Sequence, residues 1–575
     1  MRLATTILAA SLAAGLPLVG PLPLAAPALA QSAAQPTAQP EVDETTLTEF
    51  APAEQLPTDP LAFAIAAQLD SADSMMLDAA LNAGSEEETE LSVRDFYQQR
   101  LFQPLWLSED GLNPFAKELL VALENAGEHA LDPEDYDPDR LAQLAFNAAG
   151  LADLAALDVA LSSTYVTYAS HLAAGRVKPN RVNKSLKLFP LAPDPVTLLD
   201  LVDSSESFTE VLEGLSPNTP NYDRLKDRLA DYRAKQAAGG FTAVPSGPVL
   251  KPGMTDDRLE ALRARMIEED LLAPGSHSGD VYDGALLAAV KLFQERHGLE
   301  VDGIIGKNTL VEINVPIAAR IEQMALNMER RRWMPDDLGE RYVFINLADQ
   351  NLKVVDNDKT VHTTRVVVGK PYHATPVFSD QITYAEINPF WTVPFSIATK
   401  EYLPQLQRNP GALAAKNIRI FSGNREISPY SVDWNGVSRR NFSYTLRQDP
   451  GPRNALGRIK FMFPNKYSIY IHDTPSKALF SRAQRSFSHG CIRAENPFDL
   501  GEVLLARDGW SKDRLIAARD TKKRRIVKLK EPIPVHLTYL TAWVNKDGST
   551  HFRRDVYGRD KVLKTALTTN RRTDL

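Results

Sequence analysis

The chain has 575 residues, enough for about three or four domains at roughly 150 residues each. Its hydrophobic fraction of 43% is that of ordinary globular protein. A net charge of -8 is mild over this length and gives no case for nucleic acid as a partner, which would need a concentrated basic face.

At the N-terminus, Arg2 precedes an apolar stretch from Leu3 to Ala30 that closes on Ala28-Leu29-Ala30, an A-x-A cleavage pattern. Residues 1–30 read as a secretory signal, which sends the mature chain to the periplasm. The alternative is a retained anchor, but Pro17, Pro21, Pro23 and Pro27 break the second half of the stretch. No later run approaches the length of a membrane span, so the chain is not expected to be a transmembrane protein after cleavage. Residues 31–93 are rich in Ala, Pro, Gln and acidic residues, lack Lys and Arg, and include Glu86-Glu87-Glu88. Such a segment buries little and reads as a disordered tether. Within it, Leu61 to Leu81 is apolar enough for a helix.

Residues 94–245 carry helical spacing at Leu119, Leu120, Leu123, Leu141, Leu144 and Leu151. Asp132-Pro133 and Asp137-Pro138 read as helix starts, with Asp as cap and Pro in the first turn. No catalytic constellation appears, which predicts a helical scaffold domain. Gly239 to Pro252 reads as a linker.

Residues 250–315 form a compact unit with helical stripes at Leu259, Leu262 and Met266 and at Leu286, Val290 and Phe293. Gly298 fits a helix C-cap. Asp302-Gly303 and Gly306 fit tight turns before a helix capped by Asn308 or Thr309. An Arg-rich linking helix spans 316–340. From Tyr342 the period becomes two, as in Tyr342–Leu347 and Thr364–Val368, and strand-like runs continue to about Ala542. This predicts a mainly β domain over 341–545. An irregular, partly helical insertion interrupts it at about 397–445, either as a lid or as a surface excursion. Residues 546–575 read as a tail. The fold class is multidomain α+β.

Cys491 is the only cysteine. It is a leftover buried thiol, an intermolecular partner or a nucleophile. It sits in Ser488-His489-Gly490-Cys491-Ile492-Arg493. In Tyr467 to Pro475, strand alternation puts Ile469 and Ile471 in the core and Ser468, Tyr470 and His472 on the opposite face. A free thiol is only a few per cent ionised at neutral pH, and an imidazole can take its proton. Gly490 permits close backbone approach, so the amides near Gly490 and Cys491 are natural oxyanion donors. Cys491, His489 and His472 would also make three ligands of an open zinc site. The absence of HExxH and of a second cysteine favours the nucleophile over the metal.

Ser488 to Arg493, with His472 19 positions before Cys491, resembles the signature of the L,D-transpeptidase (YkuD-like) catalytic domain. Pro450 to Phe461, His472-Asp473-Thr474-Pro475 and Ile533 to Tyr539 resemble the large YcbB-type subgroup. Gln294 to Leu310 resembles the small helical peptidoglycan-binding domain. The resemblance implies a peptidoglycan transpeptidase without cofactor or metal, acting on stem peptides and glycan beside other cell-wall synthesis partners, and sensitive to carbapenems. It implies that Cys491 is the nucleophile and His472 the base and later acid, oriented by the carboxylate or the carbonyl of Asp473. His489 and Gly490 would shape the oxyanion hole. Ser488 is expected among the substrate contacts. Arg493 would hold a stem carboxylate or a structural ion pair. Tyr470 and Trp391 would be pocket walls or core. Rival readings are a carboxypeptidase, an enzyme that attaches a protein to the wall, and a wall-binding scaffold without activity.

Overall fold

The computed structural model describes residues 59–70, 92–275 and 279–573. The signal expected over 1–30 lies outside them, as does most of the tether. One part of the tether is ordered. Helix α1 (Pro60–Leu69) is capped by Asp59, which accepts from the Leu61 amide at 2.7 Å. It buries Ala62, Ile65 and Leu69 in the scaffold, so this stretch is packed structure and not tether.

The scaffold is helical and centres on α2 (Leu151–Ala174). That helix buries residues on most of its circumference, including the acid Asp158. Asp158 is satisfied by the amides of Leu105 and Trp106 at 3.1 and 2.9 Å and by the Tyr97 hydroxyl. A buried carboxylate is tolerated only when its lone pairs are taken in this way. The small module that follows packs α3 (Arg258–Glu268), α4 (Gly284–Arg296) and α5 (Lys307–Ile313) around Leu262, Phe293 and Ile305.

The helix expected only to link domains, α6 (Ile317–Arg332), is a buried hub. Its Glu329 accepts from the Arg176 amide of the scaffold at 2.8 Å. Its Arg320 pairs with Glu312 of the small module at 2.7 Å. Its Arg330 pairs with Asp560 near the C-terminus at 2.6 Å. Arg-rich composition marks solvent in most helices. Here each of these charges has a partner in a different unit, which is what allows burial.

The mainly β domain is a closed barrel. Its strands are β1 (Arg341–Asn346), β2 (Asn351–Asp356), β3 (Lys359–Gly369), β4 (Phe378–Ile387), β5 (Ile459–Met462), β6 (Ile471–His472), β8 (Ile492–Ala494) and β9 (Arg525–Thr538). Neighbours run β3-β8-β6-β5-β4-β9-β1-β2, and β2 pairs back onto β3 to close an eight-stranded ring. The short β7 (Ser486–Ser488) adds to the end of β3. Val343, Val366, Phe461, Ile471 and Ile492 fill the interior.

Two expectations need correction here. The insertion is not irregular. It spans Trp391 to Gln448 and contains a four-stranded sheet with its own core, including Leu406, Ile420, Trp434 and Leu446. Its strands have two to five residues, too few for period-two alternation to stand out. Nor are residues 546–575 a loose tail. Ala542–Val544 pairs with Thr550–Phe552, and a last helix, α7 (Arg559–Thr573), buries Leu563. Arg559 lies between the rings of Tyr539 and Tyr557, 4.8 and 4.9 Å from their centroids.

Burial pushes His129, His171 and His472 from 6.5 to about 3, and nearby Arg or Lys charges push each the same way. The folded chain thus holds these imidazoles neutral, while the unfolded chain protonates them. Their contribution to stability is full above about pH 6.5 and is lost as pH falls toward 3. The thermal midpoint is therefore expected to drop between pH 7 and pH 5, with net proton uptake on unfolding. Calorimetry in buffers of different ionisation enthalpy measures both; a midpoint unchanged or raised at pH 5 would contradict this.

Candidate active site

β6 and β8 run parallel, with Ile471 opposite Ile492 and His472 opposite Arg493. The two isoleucines are fully buried in the barrel. Alternation then turns Tyr470, His472, Cys491 and Arg493 to the other side. The Ile492 amide donates to Tyr470 O at 3.1 Å and fixes this register next to the sulfur. The row continues across the sheet, since Lys460 of β5 lies opposite both His472 and Glu386 of β4. The Lys460 ammonium is 2.9 Å from Glu386, and Arg524 holds the other Glu386 oxygen.

The strand expected through Tyr467 is cut short. Ser468 has a φ of 57°, and the Asn465 side chain accepts from the amides of Tyr467 and Ile469 at 3.0 and 3.1 Å. Ser468 therefore does not share a strand face with Tyr470 and His472. Its carbonyl instead accepts from the Cys491 thiol at 3.5 Å.

His472 is buried, and its Nδ1 is 2.5 Å from the carbonyl of Asp473. A carbonyl only accepts, so Nδ1 carries the hydrogen and Nε2 presents a lone pair. The question of how Asp473 orients the ring is thus answered by its backbone. Its carboxylate is occupied elsewhere, by the amides of Arg458 and Thr474 at 2.8 and 2.7 Å and by Lys477 at 2.8 Å.

Burial raises the Cys491 thiol to about 11, against hydrogen bonds from Tyr470 and the charges of Arg493 and Lys460, which lower it. Burial lowers His472, and Arg493 adds to this. The resting pair is a neutral thiol beside a neutral imidazole.

The nucleophile loop is fixed by its own atoms. The Ser488 hydroxyl donates to Cys491 O at 2.6 Å and accepts from the Gly490 amide at 3.0 Å. Ser488 is buried and shapes the loop, which corrects its assignment as a substrate contact. The Gly490 amide is consumed by this bond and is not an oxyanion donor. The Cys491 amide makes no hydrogen bond among the described residues. Gly490 has a φ of 118°, which strains any residue with a side chain, and a Cβ there would crowd Ile469 at 3.3 Å.

The remaining residues separate clearly. His489 is exposed, and its Nε2 is 2.7 Å from the Glu401 carboxylate, which ties the loop to the insertion and takes the imidazole away from the oxyanion region. Arg493 makes no ion pair among the described residues, and its Nε is buried without a partner. The structural ion pair expected as one alternative is absent there. Trp391 is core, packed edge-on to Tyr402 inside the insertion, not a pocket wall. Tyr470 packs on both the barrel and the insertion, with its ring 5.6 Å from that of His472. Lys460, Glu386 and Glu401 carry no motif of their own, and only the sheet register brings them to the site. Among the described residues, no group of three or more His, Cys, Asp or Glu is arranged to hold a metal ion.

Because the carbonyl orients the base, Asp473→Asn should keep acylation of Cys491 within about 10-fold of wild type. An orienting carboxylate would show a loss near 10⁴-fold on the same change. Single-turnover acylation followed by intact mass measures this. The variant should also be less stable by about 1 kcal/mol, since a buried charged acceptor of three donors is weakened.

Three family models match the chain. Residues 91–229 match a scaffold domain, residues 257–313 a "Putative peptidoglycan binding domain", and residues 340–506 the L,D-transpeptidase catalytic domain. A curated Haemophilus influenzae protein, "Putative L,D-transpeptidase", is 31% identical over 246 residues, which are 43% of this chain. The chain spans about half of that relative's length, 49%. An L,D-transpeptidase structure from Xylanimonas cellulosilytica is 16% identical and covers 51% of this chain and 98% of its own, with a TM-score of 0.17. One from Stackebrandtia nassauensis is 15% identical and covers 52% and 96%, with a TM-score of 0.19. Scores this low carry no argument, and the domain matches stand without them. The chain thus carries an L,D-transpeptidase catalytic domain at residues 340–506, preceded by a scaffold domain and a peptidoglycan-binding domain.

Proposed function

We propose that this chain is a periplasmic peptidoglycan L,D-transpeptidase that forms 3-3 cross-links through a thioester on Cys491. One observation carries the reading. The only thiol and a histidine of fixed tautomer lie on one face of adjacent strands, beside an arginine with no carboxylate partner among the described residues.

His472 Nε2 takes the thiol proton as the sulfur attacks the carbonyl of the L-centre of diaminopimelate in a tetrapeptide stem. The new C–S bond forms as the carbonyl oxygen becomes an oxyanion facing the Cys491 amide. His472 returns the proton to the departing nitrogen, the C–N bond breaks and D-alanine leaves. The side-chain amine of a second stem then attacks the thioester and gives its proton to His472. The C–S bond breaks, and His472 passes that proton to the leaving sulfur, restoring the thiol. Arg493, buried at its Nε and unpaired, holds a stem carboxylate. Its charge lowers the cost of the thiolate. The small helical module holds the chain on the wall and raises the local concentration of stems.

A carbapenem should add its mass to the wild type and not to Cys491→Ala. His472→Ala should lose roughly 10²–10⁴-fold in acylation rate while remaining folded. Activity should survive EDTA and fail after iodoacetamide. Mass spectrometry of products from purified tetrapeptide muropeptides decides the acceptor. A 3-3 dimer with free D-alanine supports the proposal. A shortened tripeptide alone would make the enzyme a carboxypeptidase, and transfer only to a protein amine would make it an anchoring enzyme.

A further inference from the structure

An amide helps a developing oxyanion only if it is aimed before the charge appears. In the Gly490–Cys491 peptide, the carbonyl and the N–H belong to one planar trans unit and point in opposite directions. Whatever holds Gly490 O therefore also aims the Cys491 N–H. The holder is Thr375, whose hydroxyl donates to Gly490 O at 2.7 Å.

Thr375 is fully buried in the connection between β3 and β4. A hydroxyl has one hydrogen to give. The Gly369 amide donates to the same oxygen at 3.0 Å, which leaves that hydrogen for Gly490. The threonine backbone is held as well. It precedes Pro376, which restricts it to extended conformations, and its carbonyl accepts from Arg559 at 2.9 Å. Arg559 also donates to Ser185 of the scaffold at 2.7 Å. Gly369 allows the turn to close, since a Cβ there would lie 2.1 Å from the His373 carbonyl. The Tyr557 hydroxyl secures Gly369 O at 2.8 Å. Thr375 lies on the buried side of the loop, so the Cys491 N–H faces the opposite, partly open side.

We propose that Thr375 is the positioning residue for the oxyanion donor: its hydroxyl locks the Gly490 carbonyl and so keeps the Cys491 N–H aimed at the carbonyl oxygen of the bound stem peptide. This rests on Cys491 being the acylated nucleophile. The Thr375 hydroxyl touches no substrate and acts only through the peptide it holds.

Two reagents separate aiming from packing. A carbapenem acylates sulfur through an oxyanion, whereas iodoacetamide alkylates it by displacement and forms none. In the full chain, Thr375→Val should slow carbapenem acylation about 10- to 100-fold, the lower part of what loss of an oxyanion donor costs. Its iodoacetamide rate should stay within about twofold of wild type, and Thr375→Ser should restore acylation. If Thr375→Val does not fold by circular dichroism, Thr375→Ala, which places no methyl group against the two freed backbone atoms, is read in the same way. Acylation at the wild-type rate overturns the proposal. So does an equal loss of both rates, which would mean that the sulfur itself had moved. Failure of the wild type to be acylated would instead remove the nucleophile reading on which the proposal stands.

Discussion

A parallel pairing only two residues long holds the chemistry of this protein together. Ile471 opposite Ile492 buries one face, and that burial forces Tyr470, His472, Cys491 and Arg493 onto the other. The strands are too short to hold register by their own hydrogen bonds. They are held from outside, by the Asn465 turn before β6, the Asp473 turn after it and the Ser488 hydroxyl before β8. A slip of one residue would send the histidine into the barrel and an isoleucine to the sulfur. The polar side chains around the site are therefore spent on geometry, and few are left to touch a substrate.

The same division of labour holds at larger scale. Helix α6 carries Arg320, Glu329 and Arg330, each buried and each paired to a different part of the chain. Buried charges paired in this way add little net stability compared with apolar packing, but removing one partner strands a buried charge. They make the relative placement of scaffold, small module and barrel specific. Arg559 extends this placement to the active site, because it joins scaffold Ser185 to the turn that carries Thr375.

Much of this was legible in the sequence, and the reasons differ by element. Cys491 and His472 stand out through residue type and spacing, so motif reading singled them out, and the fold places them on adjacent strands. The helical module was legible because Gly298 and Gly303 hold positive φ at its turns, where side chains are disfavoured. Lys460, Glu386 and Thr375 were not legible, because their importance comes from sheet register and from a carbonyl that only the folded chain brings near. Ser488 and Gly490 were assigned outward roles, yet they hydrogen-bond each other. Trp391 reads as a pocket residue by type and is core by position. The insertion's sheet escaped because its strands are shorter than the window over which alternation can be recognised.

The raised Cys491 thiol has a consequence outside catalysis. Peroxides and stray disulfides react with thiolates, not with thiols. A chain with a single cysteine has no resolving cysteine of its own to reverse such damage. Burial that raises the Cys491 thiol, with the Ser468 carbonyl accepting its hydrogen, lowers the thiolate fraction on which such reagents act.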